Sequence, residues 1–261
     1  MKITVITVVR NDVEHIEQTM LNVLEQDYAD LEYIVVDGGS TDGTAEVIGR
    51  YADRLAYWVS EPDRGIYPAM NKGLRKATGE WVNFMNSGDG FVNPHVLSDL
   101  FGADGVLAHH LSQRDALLPW VIGGNTINFF ADGREEVHHA ESPDVIPHRL
   151  PFSHQSSFVR IQPETFCFGE QYRYSADYKL FYDLYFAYGS QAFLVVDLPI
   201  ARYRQEGSLT MKPQLQRDIR REYLNIQSAH RDWHWWVEKL KTLSPTLPHN
   251  GEGELYTKNY Q

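Results

Sequence analysis

Along the first ninety residues, short apolar runs alternate with segments whose apolar residues recur every three or four positions. Residues 3–9 form a β-branched run, the pattern of a parallel strand buried on both faces. Asn11 or Asp12 can cap a following helix, whose apolar stripe is Val13, Ile16, Met20, Val23 and Leu24. Residues 31–36 predict a second strand that closes at Asp37, and Gly38, Gly39 and Ser40 then turn the chain. Ser40 or Thr41 caps a helix through Ala45, Val47, Ile48 and Tyr51. Residues 55–59 predict a third strand, residues 67–77 a helix that ends before Gly79, and residues 81–85 a fourth strand. Strands that alternate with helices predict an α/β fold, its mostly parallel sheet joined by right-handed crossovers.

Beyond Asp89 the pattern loosens. Residues 100–150 are rich in Gly, Pro and His without a clear period, which predicts irregular structure with short strands. A helix is expected around 175–188 and a strand at 192–196. From 214 to 243 the residues Ile219, Tyr223, Ile226, His230, Trp233, Val237 and Leu240 recur at helix-face spacing. Residues 244–261 read as a poorly ordered tail.

Bulk properties narrow the chemistry. The formal net charge of −11 argues against nucleic acid as a partner, which needs a basic footprint. The single cysteine, Cys167, excludes an intrachain disulfide and suits a reducing compartment. The chain enters its first strand at once, without a cleavable leader pattern, and no apolar run approaches the roughly 20 residues that span a bilayer. The expectation is a cytoplasmic protein, soluble or peripheral.

In an open α/β sheet, ligands bind beyond the carboxyl ends of the strands. Two carboxylates fall there. Asp89 ends the run Trp81-Val82-Asn83-Phe84-Met85-Asn86-Ser87-Gly88-Asp89, and a lone Asp can hold a divalent cation when a diphosphate supplies the other oxygens. Asp37 either accepts a nucleobase N–H or simply turns the chain. Arg64 could reach a phosphate or a base, with Asn71 and Lys72 in the next helix; read alone, this stretch is equally a solvated loop.

The combination is more specific than its parts. Arg10-Asn11, Val36-Asp37-Gly38-Gly39-Ser40-Thr41-Asp42-Gly43, Asp63-Arg64-Gly65-Ile66-Tyr67, Ala69-Met70-Asn71-Lys72-Gly73, Ala77-Thr78-Gly79-Glu80-Trp81 and Asn86-Ser87-Gly88-Asp89 occur in order. Together they resemble the family 2 glycosyltransferases of the GT-A (Rossmann-like) fold, especially bacterial enzymes of surface-polysaccharide assembly such as capsule or O-antigen. The resemblance covers residues 1 to about 91, with echoes at Ser153-His154-Gln155 and Ser175-Ala176-Asp177-Tyr178.

The resemblance implies inverting transfer of a sugar from a nucleoside diphosphate sugar, with UDP-sugars favoured, to a saccharide or lipid-linked saccharide hydroxyl, assisted by Mg2+ or Mn2+. Residues 1–98 would be the nucleotide-sugar-binding half and 99–213 the acceptor-binding half of one domain. Asp37 would contact the base, with Thr7, Val9 and Arg10 in the same pocket. Arg64, Asn71, Ser87 and Gly88 would complete the nucleotide site, and Asp89 would hold the metal. Asp177 would be the general base, a reading the order of the motifs favours over simple capping of the helix that follows it. His154, Gln155 and Arg204 would approach the acceptor or diphosphate, Arg204 from a loop after the last strand that could close on the donor; His154 is equally readable as structural.

Two positions depart from the family pattern: the turn at 86–89 holds one acid where many relatives hold two or three, and Pro68 stands where close relatives often carry Asp. The C-terminal helical segment, 214–243, carries Arg220, Arg221, Arg231, Lys239 and Lys241 beside Trp233, Trp235 and Trp236, which suits docking on the catalytic lobe, a homodimer, or the inner face of the plasma membrane. Two rival readings stay open. A nucleotidyltransferase would show a glycine-rich basic loop where this chain has Val9-Arg10-Asn11-Asp12. A nucleotide-sugar-binding protein without activity would account for the thin acidic turn.

Overall fold

The computed structural model describes residues 1–161, 166–206 and 212–228. The N-terminal half is built from β1 (Ile3–Val9), α1 (Ile16–Leu24), β2 (Leu31–Asp37), α2 (Thr44–Gly49), β3 (Tyr57–Ser60), α3 (Ile66–Leu74) and β4 (Trp81–Phe84). The second half adds β5 (Gly90–Phe91), α4 (Val96–Phe101), α5 (Val106–Leu111), β6 (Val121–Phe129), β7 (Glu135–His138), β8 (Ser157–Arg160), α6 (Ala176–Tyr188), β9 (Phe193–Arg204) and α7 (Pro213–Ser228).

Among the described residues, nine strands form one sheet in the order β3-β2-β1-β4-β8-β6-β9-β5, with β7 paired to β6 off this path. The first four strands are parallel, as the alternating pattern requires. Their register brings Val9, Asp37 and Ser60 to one level at the carboxyl edge. β1 is apolar on both faces because helices cover both: Ile3, Val5 and Val9 pack in one buried cluster with α1, and Ile6 and Val8 pack in the other with α3. The second half is mixed, with β8 antiparallel to β4 and β6, and β9 parallel to β6.

Several boundaries differ from the sequence reading. The first helix starts at Ile16 rather than near Val13, because residues 13–15 turn around Asp12, whose carbonyl takes the His15 and Ile16 N–H groups. The second helix is capped by Gly43 at φ 100° rather than by Ser40 or Thr41. The region from 100 to 150 is more regular than expected. It contains α5 and the nine-residue strand β6, hidden in the sequence by Gly123 and Gly124. These glycines serve packing and not a turn. A Cβ at Gly123 would lie 2.3–2.5 Å from the Phe152 ring, and one at Gly124 would lie 2.6 Å from the Leu198 carbonyl oxygen. The last strand is also longer than predicted: β9 has 12 residues and ends at Arg204, so Arg202 and Arg204 sit on a strand and not in a closing loop.

α7 docks on the second half. Tyr223 stacks on Tyr178 with centroids 4.0 Å apart, and Glu222 accepts the N–H groups of Arg173 (2.8 Å) and Tyr174 (3.0 Å). Gln227 donates to the Tyr178 hydroxyl at 3.0 Å. The rest of the predicted C-terminal helix, with His230, Arg231, Trp233, Trp235, Trp236, Val237, Lys239, Leu240 and Lys241, and the predicted tail at 244–261 lie outside the described residues. Among the described residues no helix is long and apolar enough to cross a membrane.

Candidate active site

The carboxyl edge of the parallel strands opens into a cleft with two connected lobes. The smaller, about 380 Å³, lies against the strand ends and is bordered by Val9, Arg10, Gly38, Asp63 and Ile66. The larger, about 660 Å³, runs from Arg10, Asn86 and Ser87 past Asp89 to His154, Asp177 and Arg204. Arg10, Asp12, Ile66, Asn86 and Ser87 border both lobes, so the two form one continuous groove.

The 86–89 turn is held by four hydrogen bonds to three residues, Val8, Asp12 and Thr19. Ser87 N–H meets the Val8 carbonyl at 3.4 Å, and the Ser87 hydroxyl donates to Asp12 Oδ2 at 2.7 Å. Thr19 on α1 spans the turn, its hydroxyl accepting from Gly88 N–H (3.0 Å) and donating to the Asp89 carbonyl (2.8 Å). Gly88 has φ 91°, a backbone region that favours glycine. A Cβ there would stand 3.5 Å from Arg204 Cδ.

Asp89 itself is 7% exposed. Its Oδ1 accepts the Arg204 N–H at 3.0 Å and its Oδ2 accepts the Gln155 amide at 2.9 Å. Burial pushes its carboxyl up to about 7, against the pull of the Arg204 N–H, Gln155 and the charges of His154 and Arg204. Each oxygen takes one protein donor and keeps a further lone-pair direction. Among the described residues no three His, Cys, Asp or Glu side chains converge as a complete cage. A single carboxylate with free lone pairs beside an open groove fits Mg2+ or Mn2+ bound mainly by diphosphate oxygens and water.

Asp177 occupies the far end of the larger lobe, in the first turn of α6. Its Oδ1 accepts the Tyr67 hydroxyl at 3.0 Å and the Tyr178 N–H at 2.9 Å. Its Oδ2 lies 3.3 Å from His154 Nδ1. Burial acts to raise this carboxyl, but the hydrogen bond and charge of His154, the Tyr178 N–H and the Tyr67 hydroxyl outweigh it and hold it below the usual range. Tyr67 shifts the opposite way, well above an ordinary phenol, through burial and the Asp177 charge, so it remains a donor. His154 opens the 3-10 turn before β8, and its Nε2 lies 3.2 Å from the Asn86 amide nitrogen.

Thus the fold brings Val9, Arg10, Ser87, Asp89, His154, Gln155, Asp177 and Arg204 to one groove, with Gly88 in the turn behind it. The other sequence-assigned residues sit elsewhere. Thr7 is buried within the sheet, its hydroxyl donating to the Met85 carbonyl at 2.7 Å and sharing a 2.8 Å bond with the Tyr33 hydroxyl. Arg64 is exposed and borders neither lobe. Asp37 is fully buried behind Gly38, its oxygens taken by Ser40 N–H (3.0 Å), the Ser40 hydroxyl and the Ser60 hydroxyl (2.5 Å).

Asn71 is a staple between α3 and the 166–170 segment. It accepts the Phe168 N–H at 2.7 Å and donates to the Phe168 carbonyl at 2.9 Å. Asn71→Ala should therefore cost about 2–4 kcal/mol, from two buried backbone groups left unpaired, as read by urea unfolding. It should leave nucleotide affinity unchanged in calorimetry.

The sequence reading missed Asp12, Asp63, Tyr67 and Asn86. Asp63 borders the smaller lobe and pairs with Lys72 at 2.8 Å. Asn86 borders both lobes. The spacing Asp63 to Tyr67, at the entrance to α3, is the local feature that could have singled out two of them.

Residues 4–104 match the family model "Glycosyl transferase family 2". An uncharacterized glycosyltransferase of Mycobacterium tuberculosis is 39% identical over 97 residues, 37% of this chain and 37% of the relative. A PGL/p-HBAD biosynthesis glycosyltransferase of Mycobacterium bovis is 32% identical over 101 residues, 33% of this chain and 40% of the relative. The matched stretch therefore spans well under half of these relatives' own length. Among solved structures, S. aureus TarS 1–349 in complex with UDP superimposes with a TM-score of 0.59 at 21% identity, covering 78% of this chain and 60% of that one. Glucosyl-3-phosphoglycerate synthase from Mycobacterium tuberculosis, in complex with Mn2+, UDP-glucose and phosphoglyceric acid, gives a TM-score of 0.57 at 19% identity, covering 87% and 80%. At these identities the structural likeness is one of fold. The chain is thus an α/β protein with a GT-A-type fold, and its residues 4–104 match the glycosyl transferase family 2 model.

Proposed function

We propose that the groove binds a nucleoside diphosphate sugar and transfers its sugar, with inversion, to a hydroxyl of a saccharide acceptor, free or lipid-linked, in polysaccharide assembly. The observation that carries this reading is the continuity of the groove. It leads from the strand-end lobe, where the stretch that matches the family 2 model lies, to a half-buried carboxylate–histidine pair.

The nucleotide is read as lying along the strand ends in residues 1–98, with Val9, Arg10 and the Gly38 backbone around the base and Ser87 and Gly88 near the sugar-diphosphate. Asp37 supports the Gly38 turn from behind. UDP-sugars are the favoured donors, on the sequence resemblance. Residues 99–213 supply the acceptor side, where Asp177 is the essential carboxylate. It stays ionised, so it favours a positive charge forming beside it as the hydroxyl gives up its proton.

Asp89 is the residue that would hold Mg2+ or Mn2+. When bound, such an ion offsets the charge that develops on the leaving diphosphate. Arg204, on β9, adds a guanidinium at the same end of the groove and fixes Asp89 through its own N–H. The reaction takes place in the cytoplasm, at the inner face of the plasma membrane where the acceptor is lipid-linked.

The test is to mix the protein with a panel of nucleotide sugars, Mn2+ and acceptor saccharides and to follow release of nucleoside diphosphate. Turnover is expected with one donor class. Asp177→Ala should lower it by roughly 10²–10⁴-fold, the worth of positioned proton transfer. Binding of nucleotide sugars in calorimetry without turnover across many acceptors would instead favour a non-catalytic binding protein.

A further inference from the structure

We infer that Tyr67 is a positioning residue for Asp177: its hydroxyl holds Oδ1, so that Oδ2 is the oxygen that takes the proton of the acceptor hydroxyl. This rests on the sugar-transfer reading above, with Asp177 as the base. Three observations carry it. The first is that the two carboxylate oxygens are unequal. Oδ1 accepts the Tyr178 N–H at 2.9 Å and the Tyr67 hydroxyl at 3.0 Å, which fills its two lone-pair directions. Among the described residues Oδ2 has one polar neighbour, His154 Nδ1, at 3.3 Å. That is beyond the roughly 3.2 Å limit of an ordinary N–H···O bond. A lone-pair direction on Oδ2 is left for a hydroxyl, and Asp177 borders the larger lobe.

The second is that Tyr67 can only donate here. An ionised carboxylate only accepts, so the phenol hydrogen points at Oδ1. Burial and the Asp177 charge keep the phenol well above its ordinary range, so it retains that hydrogen. The ring has little slack: Tyr67 is 5% exposed, and its centroid is 5.3 Å from that of Phe168.

The third is where Tyr67 comes from. It lies in the first turn of α3, 110 residues from Asp177. Ile66, its neighbour in the chain, borders both lobes. The turn that walls the strand-end lobe therefore also sets the carboxylate at the acceptor end. The other ionisable groups around Asp177 do not take its place. His154 lies on the Oδ2 side. Tyr223, on α7, is kept neutral by burial and the Asp177 charge. Arg173, before α6, is exposed, and Lys179 within α6 pairs with Asp183.

The step balances with the two substrates alone. The hydroxyl proton moves to Oδ2 as the hydroxyl oxygen forms a bond to the anomeric carbon. The bond from that carbon to the diphosphate oxygen breaks, and its electron pair leaves with the nucleoside diphosphate. Asp177 then returns the proton to water.

Tyr67→Phe in the full chain tests this, because the ring stays and only the hydroxyl goes. Loss of a donor to the charged form favours the protonated carboxyl, so the acidic limb of the kcat–pH profile should move up by about one unit. On the plateau kcat should fall about tenfold or more, with nucleoside diphosphate affinity unchanged. A role in packing alone moves neither, since Phe fills the same space. A kcat within about twofold of the unaltered protein, or a raised one, with the limb in place, overturns the proposal; a hydroxyl that used Oδ1 would have to displace Tyr67 and would give that result. The second measurement needs no turnover. In ¹³C NMR of the Asp carboxyls, with Asp177 assigned by Asp177→Asn, Tyr67→Phe should raise the Asp177 midpoint from below the usual carboxylate range into it. An unmoved midpoint overturns the proposal. An unaltered protein that turns over no donor counts against the transfer reading alone, and the carboxyl titration then still supports or overturns the Tyr67–Asp177 tie.

Discussion

Asp89→Asn should make the protein more stable at pH 8 while abolishing cation-dependent turnover. The two effects have one origin. The Asp89 carboxyl is buried, and its pKa is pushed up to about 7 from 3.8. A carboxyl whose folded pKa is raised binds its proton more tightly in the folded state, so its contribution to stability is full below about pH 4 and declines as the pH rises toward 7. Above 7 the fold carries the whole cost of the buried charge, about 4 kcal/mol at 1.36 kcal/mol per pKa unit, as an order of magnitude.

Asn at the same position removes that cost without emptying the site. Its carbonyl accepts the Arg204 N–H, and its amide meets Gln155 after that amide turns over. Thermal unfolding should rise by ~8–16 °C at pH 8, at about 2–4 °C per kcal/mol for a chain this size. The gain should shrink below pH 7 and vanish near pH 4. A shift of Tm that is the same at pH 4 and pH 8 would show that the charge is not its source.

Gly123→Ala is the second large expected effect, and it acts through packing. The added methyl would lie 2.3–2.5 Å from three atoms of the Phe152 ring. That ring cannot retreat easily: Phe152 is 1% exposed and packs edge-on against Phe181 at 5.4 Å. Overpacking of this kind costs ~1–3 kcal/mol or more. Phe152 stands two residues before His154, so the displaced ring also moves the 3-10 turn that carries His154 and Gln155. Stability in urea and transfer activity should fall together. Shortening the obstacle should restore both in part: Gly123→Ala with Phe152→Leu is expected to be more stable than Gly123→Ala alone, a coupling that distant sites do not show. Independent, additive effects would mean that the methyl is accommodated elsewhere.

Gly123 also marks where the sequence stops being readable. β1 to β4 are written locally, in β-branched runs that end at turn residues, and the structure follows them to within a few residues. β6 is not, because its glycines are set by Phe152 and Leu198, which are distant in the chain. β9 was cut short for a related reason. Asp197, Leu198 and Pro199 interrupt its apolar pattern, yet the strand continues past them through a shifted register against β6.

The groove divides the same way. Asp89 is legible as a carboxylate at a strand end, whereas its partners are not. Gln155 lies 66 residues away and Arg204 lies 115 away. Tyr67 and Asp177 are 110 residues apart, and no spacing rule connects them. Asp37 shows the converse: its place at a strand end and its local turn with Ser40 were readable, but the Ser60 hydroxyl that also occupies it comes from the neighbouring strand β3.

The route of the sheet has a consequence for how the protein assembles. β4 and β5 are separated by residues 85–89 along the chain, yet β8, β6 and β9 stand between them in the sheet. The second half of the sheet therefore curls back until its far edge, β5, lies within reach of the five-residue link from β4. Residues 85–89 are the seam of that closure. The seam is completed only when β9, the last strand among the described residues, pairs with β5 and the Arg204 N–H reaches Asp89. Contacts of such long sequence separation form slowly. In refolding, protection of the Arg204 amide and recovery of nucleotide binding should appear together, in the slow phase. A fragment ending near residue 104 would hold the stretch that matches the family 2 model and residues 85–89, and would lack β9, which closes the seam.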